Sequence, residues 1–216
     1  MSKPSVTRMA CARIPTEFGD FQLCYYNNSL DTKEHLALIM GDITAADSVL
    51  VRVHSECFTG DVLGSRRCDC GEQLKRSLSL VASEGLGLVL YMRQEGRGIG
   101  LLEKLRAYNL QDQGYDTVEA NLMLGHGADE RDYTLAACML EELGVKGVRL
   151  ITNNPTKISA LKAKGINVTE RVPLEIPANT DNAGYLLTKL QRMDHHLHIQ
   201  PVAAANGEPH EPQSTN

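Results

Sequence analysis

Apolar and polar residues alternate along the first part of the chain, a pattern typical of β-strands. Glycine, aspartate and asparagine separate the stretches that show it, which read FGDFQLCYYN, EHLALIMGDI and VLVRVHSE. The pattern predicts that roughly the first fifty residues are rich in β-structure.

Beyond Gly71 the apolar residues take a helical spacing. Leu74, Leu78 and Val81 recur at intervals of one helical turn, and Gly85 ends the segment. The later segments are predicted as strand 86–93, helix 99–114, helix 132–145, strand 147–153, helix 155–165, strand 166–174 and helix 182–197. The order predicts a mixed α/β fold, in which a β-rich N-terminal portion precedes alternating helices and strands around a largely parallel sheet.

A chain of 216 residues fits one large domain or two small ones. We expect a single domain over residues 8–197, after a flexible N-terminus of residues 1–7. Residues 198–216 are rich in proline, glycine and polar side chains and are predicted to be disordered. The nearby His195 and His196, like His198, are expected to face solvent at the end of the last helix.

Charge and hydropathy exclude two classes of partner. The formal net charge of -5 argues against a general nucleic-acid-binding protein, and no apolar run has the length of a transmembrane segment or a signal peptide. Six cysteines, three of them clustered, do not form the pattern of a secreted disulfide framework. We therefore expect a cytoplasmic protein with no membrane partner, in which Cys11, Cys24 and Cys138 are reduced and pack in the core.

The other three cysteines lie in one short stretch, HSECFTGDVLGSRRCDCG. Cys57 follows a predicted strand, and Cys68 and Cys70 precede a predicted helix whose N-terminus favours thiolates. Thiolates are the ligands that zinc prefers, and three of them leave one coordination position for water. Zinc lowers the pKa of bound water to roughly 7, so the cluster predicts a catalytic zinc site.

Two alternatives apply to this stretch. His54 as a fourth ligand would make the zinc purely structural. The sequence HSE also resembles the H-x-E of zinc-dependent nucleobase deaminases, in which the glutamate moves protons. The later pair is Cys-Asp-Cys without a preceding proline, however, so the deaminase pattern fails.

A glycine-rich stretch, RQEGRGIG, follows the predicted strand 86–93. Leu101 replaces the last glycine of a dinucleotide-binding fingerprint, so that motif is absent. A strand, a glycine-rich turn and a helix start are typical of an anion site, to which Arg93 and Arg97 would add charge; a tight turn with solvated arginines is the alternative. Glu95 is either a guanine-binding carboxylate, paired with the N–H and the exocyclic amine, or an exposed turn residue.

Two further segments place polar residues near the ends of predicted elements. GHGADERDYT puts Asp129 and Arg131 in a loop between helices, where charged residues are usually just solvated. LITNNPTK ends a strand at Thr152 and continues to Lys157. Ligands of α/β sheets bind beyond the carboxyl ends of strands, so this segment is expected near a binding site.

Together these stretches resemble GTP cyclohydrolase II, the enzyme family that opens riboflavin biosynthesis. The matching segments are RVHSECFTGDVLGSRRCDCG, RQEGRGIGLLEKLRAYNLQDQGYDTVEAN, GADERDYT and LITNNPTK, within a resemblance that covers about residues 8–197. It implies that Cys57, Cys68 and Cys70 hold one zinc ion per subunit. It implies that GTP is bound by Arg52, Val53, His54, Ser55, Glu56, Gln73, Glu95, Gly96, Arg97, Thr117, Thr152 and Lys157.

The resemblance also implies catalytic roles and a reaction. Asp129 would be a proton acceptor, Arg131 a nucleophile toward the α-phosphate, and Tyr108 a further catalytic residue. A homodimer, with magnesium bound to the triphosphate, would convert GTP to formate, pyrophosphate and 2,5-diamino-6-ribosylamino-4(3H)-pyrimidinone 5′-phosphate. A family variant that retains the formyl group and a non-catalytic GTP-binding module with structural zinc are the alternatives.

Overall fold

The structure, a computed structural model, describes residues 3–182 together with Leu186, Thr188 and Leu190. The strands are β1 (Val6–Thr16), β2 (Gly19–Asn28), β3 (His35–Met40), β4 (Val49–Ser55), β5 (Gly87–Met92), β6 (Val148–Ile151) and β7 (Val168–Val172). The helices are α1 (Phe58–Asp61), α2 (Cys70–Glu84), α3 (Leu101–Gln111), α4 (Thr117–Met123), α5 (Thr134–Glu142) and α6 (Pro155–Ala163), with a 3-10 turn at Glu95–Gly98. None of the helices in these residues has the length and apolarity that a membrane crossing requires.

One sheet contains the seven strands in the order β1-β2-β3-β5-β4-β6-β7. The pairs on the β1 side, as far as β5, are antiparallel, whereas β5, β4, β6 and β7 pair in parallel. The predicted mixed α/β fold is confirmed. The β-rich N-terminal portion is not a separate layer, however, because it forms the antiparallel half of the same sheet.

The central strands are buried on both faces. In β5, Leu88, Leu90 and Met92 pack in one core cluster with residues of α5 and α6. Val89, between them, packs on the opposite face in a second cluster that includes Val81 of α2. Burial on both faces explains why these strands read as nearly continuous apolar runs instead of alternating ones.

Helix α4 and strand β1 are among the elements that were not predicted from the sequence. Helix α4 has little apolar periodicity, and its start is instead fixed by a capping box, in which Asp116 accepts from the backbone of Val118 and Glu119 while Glu119 accepts from Asp116 N. Strand β1 begins at Val6, within the segment 1–7 that was expected to be flexible. Its side chains are mostly exposed on both faces, so no alternation of buried and exposed positions marks it as a strand.

The prediction that Cys11 and Cys24 are reduced core residues is wrong. The antiparallel register places them directly opposite each other on β1 and β2, and they form a disulfide. Cys24 is buried, but Cys11 is exposed on the edge strand. Sequence patterns do not reveal which residues a strand register will pair. Cys138 is a free, half-buried cysteine. Its Sγ donates to the carbonyl of Pro4 at 3.6 Å.

The C-terminal predictions lie outside the described residues. They concern most of the helix predicted at 182–197, the histidines at 195, 196 and 198, and the segment 198–216. These expectations, like the domain boundaries at residues 8 and 197, stay predictions.

Replacing Leu90 by alanine should test the central position of β5. Leu90 is 0% exposed, and its strand joins the antiparallel and parallel halves of the sheet. We therefore expect Leu90→Ala to lower the free energy of unfolding by about 2–5 kcal/mol. Leu30→Ala is the matched control, since Leu30 is 53% exposed and its loss should cost less than about 0.5 kcal/mol. Urea titrations of both variants would measure the difference, and equal losses would contradict this assignment of the core.

Candidate functional site

The carboxyl ends of three neighbouring parallel strands meet at one edge of the sheet. β4 contributes Arg52, His54 and Ser55 there, the 3-10 turn follows β5, and Thr152 follows β6. These residues line a cavity of about 140 Å³. Because open α/β sheets bind ligands beyond the carboxyl ends of their strands, this cavity is the candidate functional site.

Most residues that the resemblance implicates come together in this cavity. Its lining includes Arg52, His54, Ser55, Glu56, Cys57, Cys68, Cys70, Gln73, Glu95, Gly96, Arg97, Tyr108, Thr117, Arg131, Thr152 and Lys157. Val53 and Asp129 are not among the lining residues. The Val53 side chain is in the core, while its carbonyl accepts a hydrogen bond of 2.6 Å from Lys157 Nζ.

The three clustered cysteines point their sulfurs at a common centre. The Sγ atoms of Cys57, Cys68 and Cys70 all lie within 4.8 Å of one another, and the first two are 3.6 Å apart. Zinc–sulfur bonds of about 2.3 Å in a tetrahedral site place neighbouring sulfurs about 3.8 Å apart. The spacing and the soft donor set therefore fit a zinc ion.

Two glycines make this convergence possible. A Cβ atom on Gly60 would lie 2.8 Å from Cys68 Sγ and 3.1 Å from Cys57 Sγ. A Cβ atom on Gly71 would lie 2.2 Å from the carbonyl oxygen of Gly60. Helix α1 and the start of α2 can thus approach closely only because both residues lack side chains.

His54 is engaged away from the sulfurs. Its Nε2 lies 3.1 Å from the carboxylate of Asp61, which also accepts hydrogen bonds from Cys57 N and Tyr91 Oη, each at 2.9 Å. Burial lowers the pKa of His54, so the ring is neutral near pH 7 despite its acidic neighbour. Within the described chain the candidate metal group consists of three cysteines without this histidine, which argues against a closed site with His54 as fourth ligand.

Lys104 lies beside the cysteines and was missed from the sequence. Its Nζ is 3.1 Å from Cys57 Sγ, 3.0 Å from Thr59 Oγ1 and 2.8 Å from Glu95 Oε1. Burial alone would lower the pKa of this ammonium, but the negative charge at Cys57 and the bond to Glu95 raise it overall. The available signal was helical spacing, because Lys104, Tyr108 and Gln111 share the face of α3 that lines the cavity.

Both carboxylate oxygens of Glu95 contact protein donors. Oε2 accepts from Phe58 N at 2.6 Å, and Oε1 accepts from Gly96 N and Lys104 Nζ, each at 2.8 Å. Glu95 is therefore a buried link between α1, the glycine-rich turn and α3, and not an exposed turn residue. Its expected contact with guanine stays a prediction.

The glycine-rich turn has an unusual backbone. Gly96 and Arg97 have φ values of 61° and 60°, in the left-handed region that non-glycine residues seldom adopt. Arg97 is held there by its carbonyl, which accepts from Glu130 N at 3.0 Å. A Cβ on Gly98 would lie 3.0 Å from the carbonyl oxygen of Glu130. These glycines therefore let two loops meet at the cavity.

Asp129 and Arg131 form a bidentate ion pair beside the cavity. The guanidinium donates to both carboxylate oxygens, with 2.8 Å between Arg131 Nε and Asp129 Oδ1. Burial alone would raise the pKa of Asp129, but the hydrogen bonds and charge of Arg131 lower it overall. Asp129 is thus ionised at neutral pH and fixes the direction of the arginine.

Several buried polar atoms around the cavity have no hydrogen-bond partner among the residues that the structure describes. They include Arg52 Nε, His54 Nδ1 and Ser55 Oγ. The rest of the Arg52 guanidinium is held by Gln73 Oε1 at 2.6 Å and the carbonyl of Ile151 at 3.0 Å. Buried polar groups are almost always hydrogen-bonded in folded proteins, so this arrangement suits a polar ligand.

Tyr108 lies between two cations. Its ring centroid is 4.6 Å from the guanidinium carbon of Arg67 and 5.6 Å from Lys104 Nζ. Arg67 is in turn held by Asp112 at 2.6 Å. Burial raises the pKa of the Tyr108 hydroxyl, so the group is a proton donor at neutral pH.

Comparison with known proteins shows the family of this chain. The family model of GTP cyclohydrolase II matches residues 7–173, and the chain belongs to that family. Riboflavin biosynthesis protein RibBA of Bacillus cereus (strain ATCC 14579) is 57% identical over 194 residues, which are 90% of this chain and 49% of that protein. RibBA of Bacillus mycoides (strain KBAB4) is 56% identical over the same length. The chain therefore spans about half the length of the curated relatives it matches.

Solved structures also resemble this chain, and one of them is RibBX. The crystal structure of RibBX, a two-domain 3,4-dihydroxy-2-butanone 4-phosphate synthase from A. baumannii, matches with a TM-score of 0.44 and 22% identity, over 80% of this chain and 40% of that one. This likeness is too low to carry an argument.

A methyl group at Gly60 should disturb the sulfur cluster. Its Cβ would lie 2.8 Å from Cys68 Sγ, so we expect Gly60→Ala to bind less than a stoichiometric amount of zinc. Gly127→Ala is the control, because its Cβ would lie 3.4 Å from Glu130 Cγ and 3.7 Å from Glu130 Oε1, which are ordinary contact distances. Zinc content after dialysis, measured by atomic emission, would compare them; full zinc occupancy in Gly60→Ala would refute the steric argument.

Proposed function

We propose that this chain is a metal-dependent hydrolase that opens the imidazole ring of GTP. C8 of guanine would leave as formate and the terminal phosphates as pyrophosphate, and the pyrimidinone 5′-phosphate would remain. The observation that carries the proposal is that a three-sulfur metal group and the cationic side chains of Arg97, Arg131 and Lys157 line one cavity in a member of the GTP cyclohydrolase II family. Such a cavity suits a ligand with both a phosphate chain and a ring to be hydrolysed.

Cys57, Cys68 and Cys70 would hold the zinc ion. When bound, zinc supplies a Lewis acid that activates water near neutral pH. C8 is the electron-poor atom of the guanine, because it lies between two ring nitrogens. Addition of water at C8 followed by a second hydrolysis would account for the loss of formate.

Arg131 is best suited to hold the phosphates. Guanidinium is normally always protonated, and the ion pair with Asp129 favours that charged form further. A fixed cation stabilises the negative charge that develops at a phosphate during displacement. The nucleophilic role that the family resemblance implies for Arg131 would require the loss of a proton, which the ion-paired carboxylate of Asp129 opposes.

The remaining assignments follow from the family resemblance. Magnesium would accompany the triphosphate of GTP, and the active form would be a homodimer in the cytoplasm, without a nucleic-acid or membrane partner. The burial and donor character of the Tyr108 hydroxyl support a role in proton transfer.

Replacing one cysteine distinguishes a catalytic role of the metal from a structural one. We expect Cys68→Ser to fold but to produce no formate from GTP and magnesium, because a three-sulfur site loses a ligand. Cys138→Ser is the control, since Cys138 lies outside the cluster and should retain full activity. Formate, pyrophosphate and the pyrimidinone product should be assayed together. Global unfolding of Cys68→Ser would indicate a structural metal, and GTP binding without turnover by the unaltered chain would indicate a binding module.

Removal of the Tyr108 hydroxyl tests its place in the reaction. A proton-transfer group contributes about 10²–10⁴-fold to a step, so we expect Tyr108→Phe to slow formate release by about 100-fold while GTP consumption falls less. Tyr115→Phe is the control, because Tyr115 is 41% exposed and does not line the cavity. Equal loss of both rates in Tyr108→Phe would contradict a role in the later step.

A further inference from the structure

Lys104 has an environment that ordinary packing does not explain. Lysine is seldom buried, yet this residue is only 8% exposed at the centre of the site. An ammonium group has three N–H donors, and the three acceptors around it are Cys57 Sγ, Thr59 Oγ1 and Glu95 Oε1, at 2.8–3.1 Å. Every donor has an acceptor, so both the position and the orientation of the charge are fixed.

Lys104 donates a hydrogen bond to a cysteine sulfur. Its acceptor is one of the three candidate metal ligands, whereas Lys157 donates to a backbone carbonyl and Arg131 to a carboxylate. Hydrogen bonds to ligand atoms orient those ligands and tune the electronic properties of the metal. A charged donor is stronger than a neutral one, so Lys104 withdraws electron density from the Cys57 sulfur.

We propose that Lys104 is a positioning residue of the metal site, which fixes the Cys57 sulfur and weakens its electron donation to the metal. The proposal rests on the metal site of the proposed function. Glu95 completes the arrangement, because its carboxylate accepts from the Lys104 ammonium and from the backbone N–H of Phe58, the residue after Cys57. A weaker thiolate donor leaves the metal a stronger Lewis acid, which is the property that hydrolysis requires.

Cobalt(II) substitution gives an absorption band whose wavelength depends on the electrons of the ligand sulfurs, including that of Cys57. The metal-depleted full chain would be titrated with cobalt(II), and the sulfur-to-cobalt charge-transfer band recorded without GTP. Lys104→Met removes the charge and the donor, which raises the energy of the sulfur electrons, so we expect the band to move to longer wavelength. Lys104→Arg keeps a cationic donor, so its band should lie closer in wavelength to that of the unaltered chain. Lys75→Met, at an exposed lysine of α2, should leave it unchanged.

Metal affinity provides the second readout. Lys104→Met has two opposing effects on zinc affinity, because the sulfur becomes a stronger donor but is no longer held in place. Loss of a residue that positions a metal ligand typically costs about 10–100-fold in affinity, so we expect the lost positioning to dominate and zinc to bind about 10-fold more weakly, measured by competition with a chromogenic chelator. If Lys104→Met does not fold, Lys104→Gln replaces it and should shift the band less in the same direction. An unchanged band with cobalt bound would overturn the role of Lys104 alone. Failure of the unaltered chain to bind cobalt or zinc would overturn the metal site and this proposal together.

Discussion

The close contact between α1 and the start of α2 is the constraint on which the site depends. With no side chain on Gly60 or Gly71, the two backbones approach until a Cβ atom would reach 2.2 Å from a carbonyl oxygen. This approach brings Cys57 from one segment to Cys68 and Cys70 from the other. A larger residue at either glycine would separate the segments, and the sulfurs would no longer share a centre. The lack of a side chain at these two positions thus allows the three sulfurs to form a cluster that could hold a metal ion.

The second condition is a balance of buried charge. The pKa of the Cys57 thiol is lowered, mainly by hydrogen bonds from Cys68 and Cys70, and the Glu95 carboxylate is buried close by. A buried charge without a partner would cost several kcal/mol. Lys104 lies between Cys57 and Glu95 and contacts both. Arg131 is compensated by Asp129 in the same way on the other side of the cavity. The ends of the strands place these charged side chains at the cavity, and the ion pairs offset the cost of burying them there.

Much of this arrangement could be predicted from the sequence, and the exceptions share a physical cause. The three cysteines and the mixed α/β fold follow from local spacing and periodicity. The Cys11–Cys24 bond depends on a strand register, and the place of Lys104 depends on which face of α3 turns inward; neither is a local property. Glu95 lines the cavity, but its contacts with Phe58 and Lys104 join three elements and exist only in the folded chain.

The backbone of Arg97 has a consequence for the evolution of this turn. A left-handed φ of 60° costs an arginine roughly 1–2 kcal/mol that glycine would avoid. Glycine already occupies the positions on both sides, so a further glycine would fit the turn and make the fold more robust. It would also remove a guanidinium from the cavity. Selection for thermal stability alone would therefore favour glycine at position 97. Arg97 instead lowers the stability of the turn and places a positive charge in the cavity.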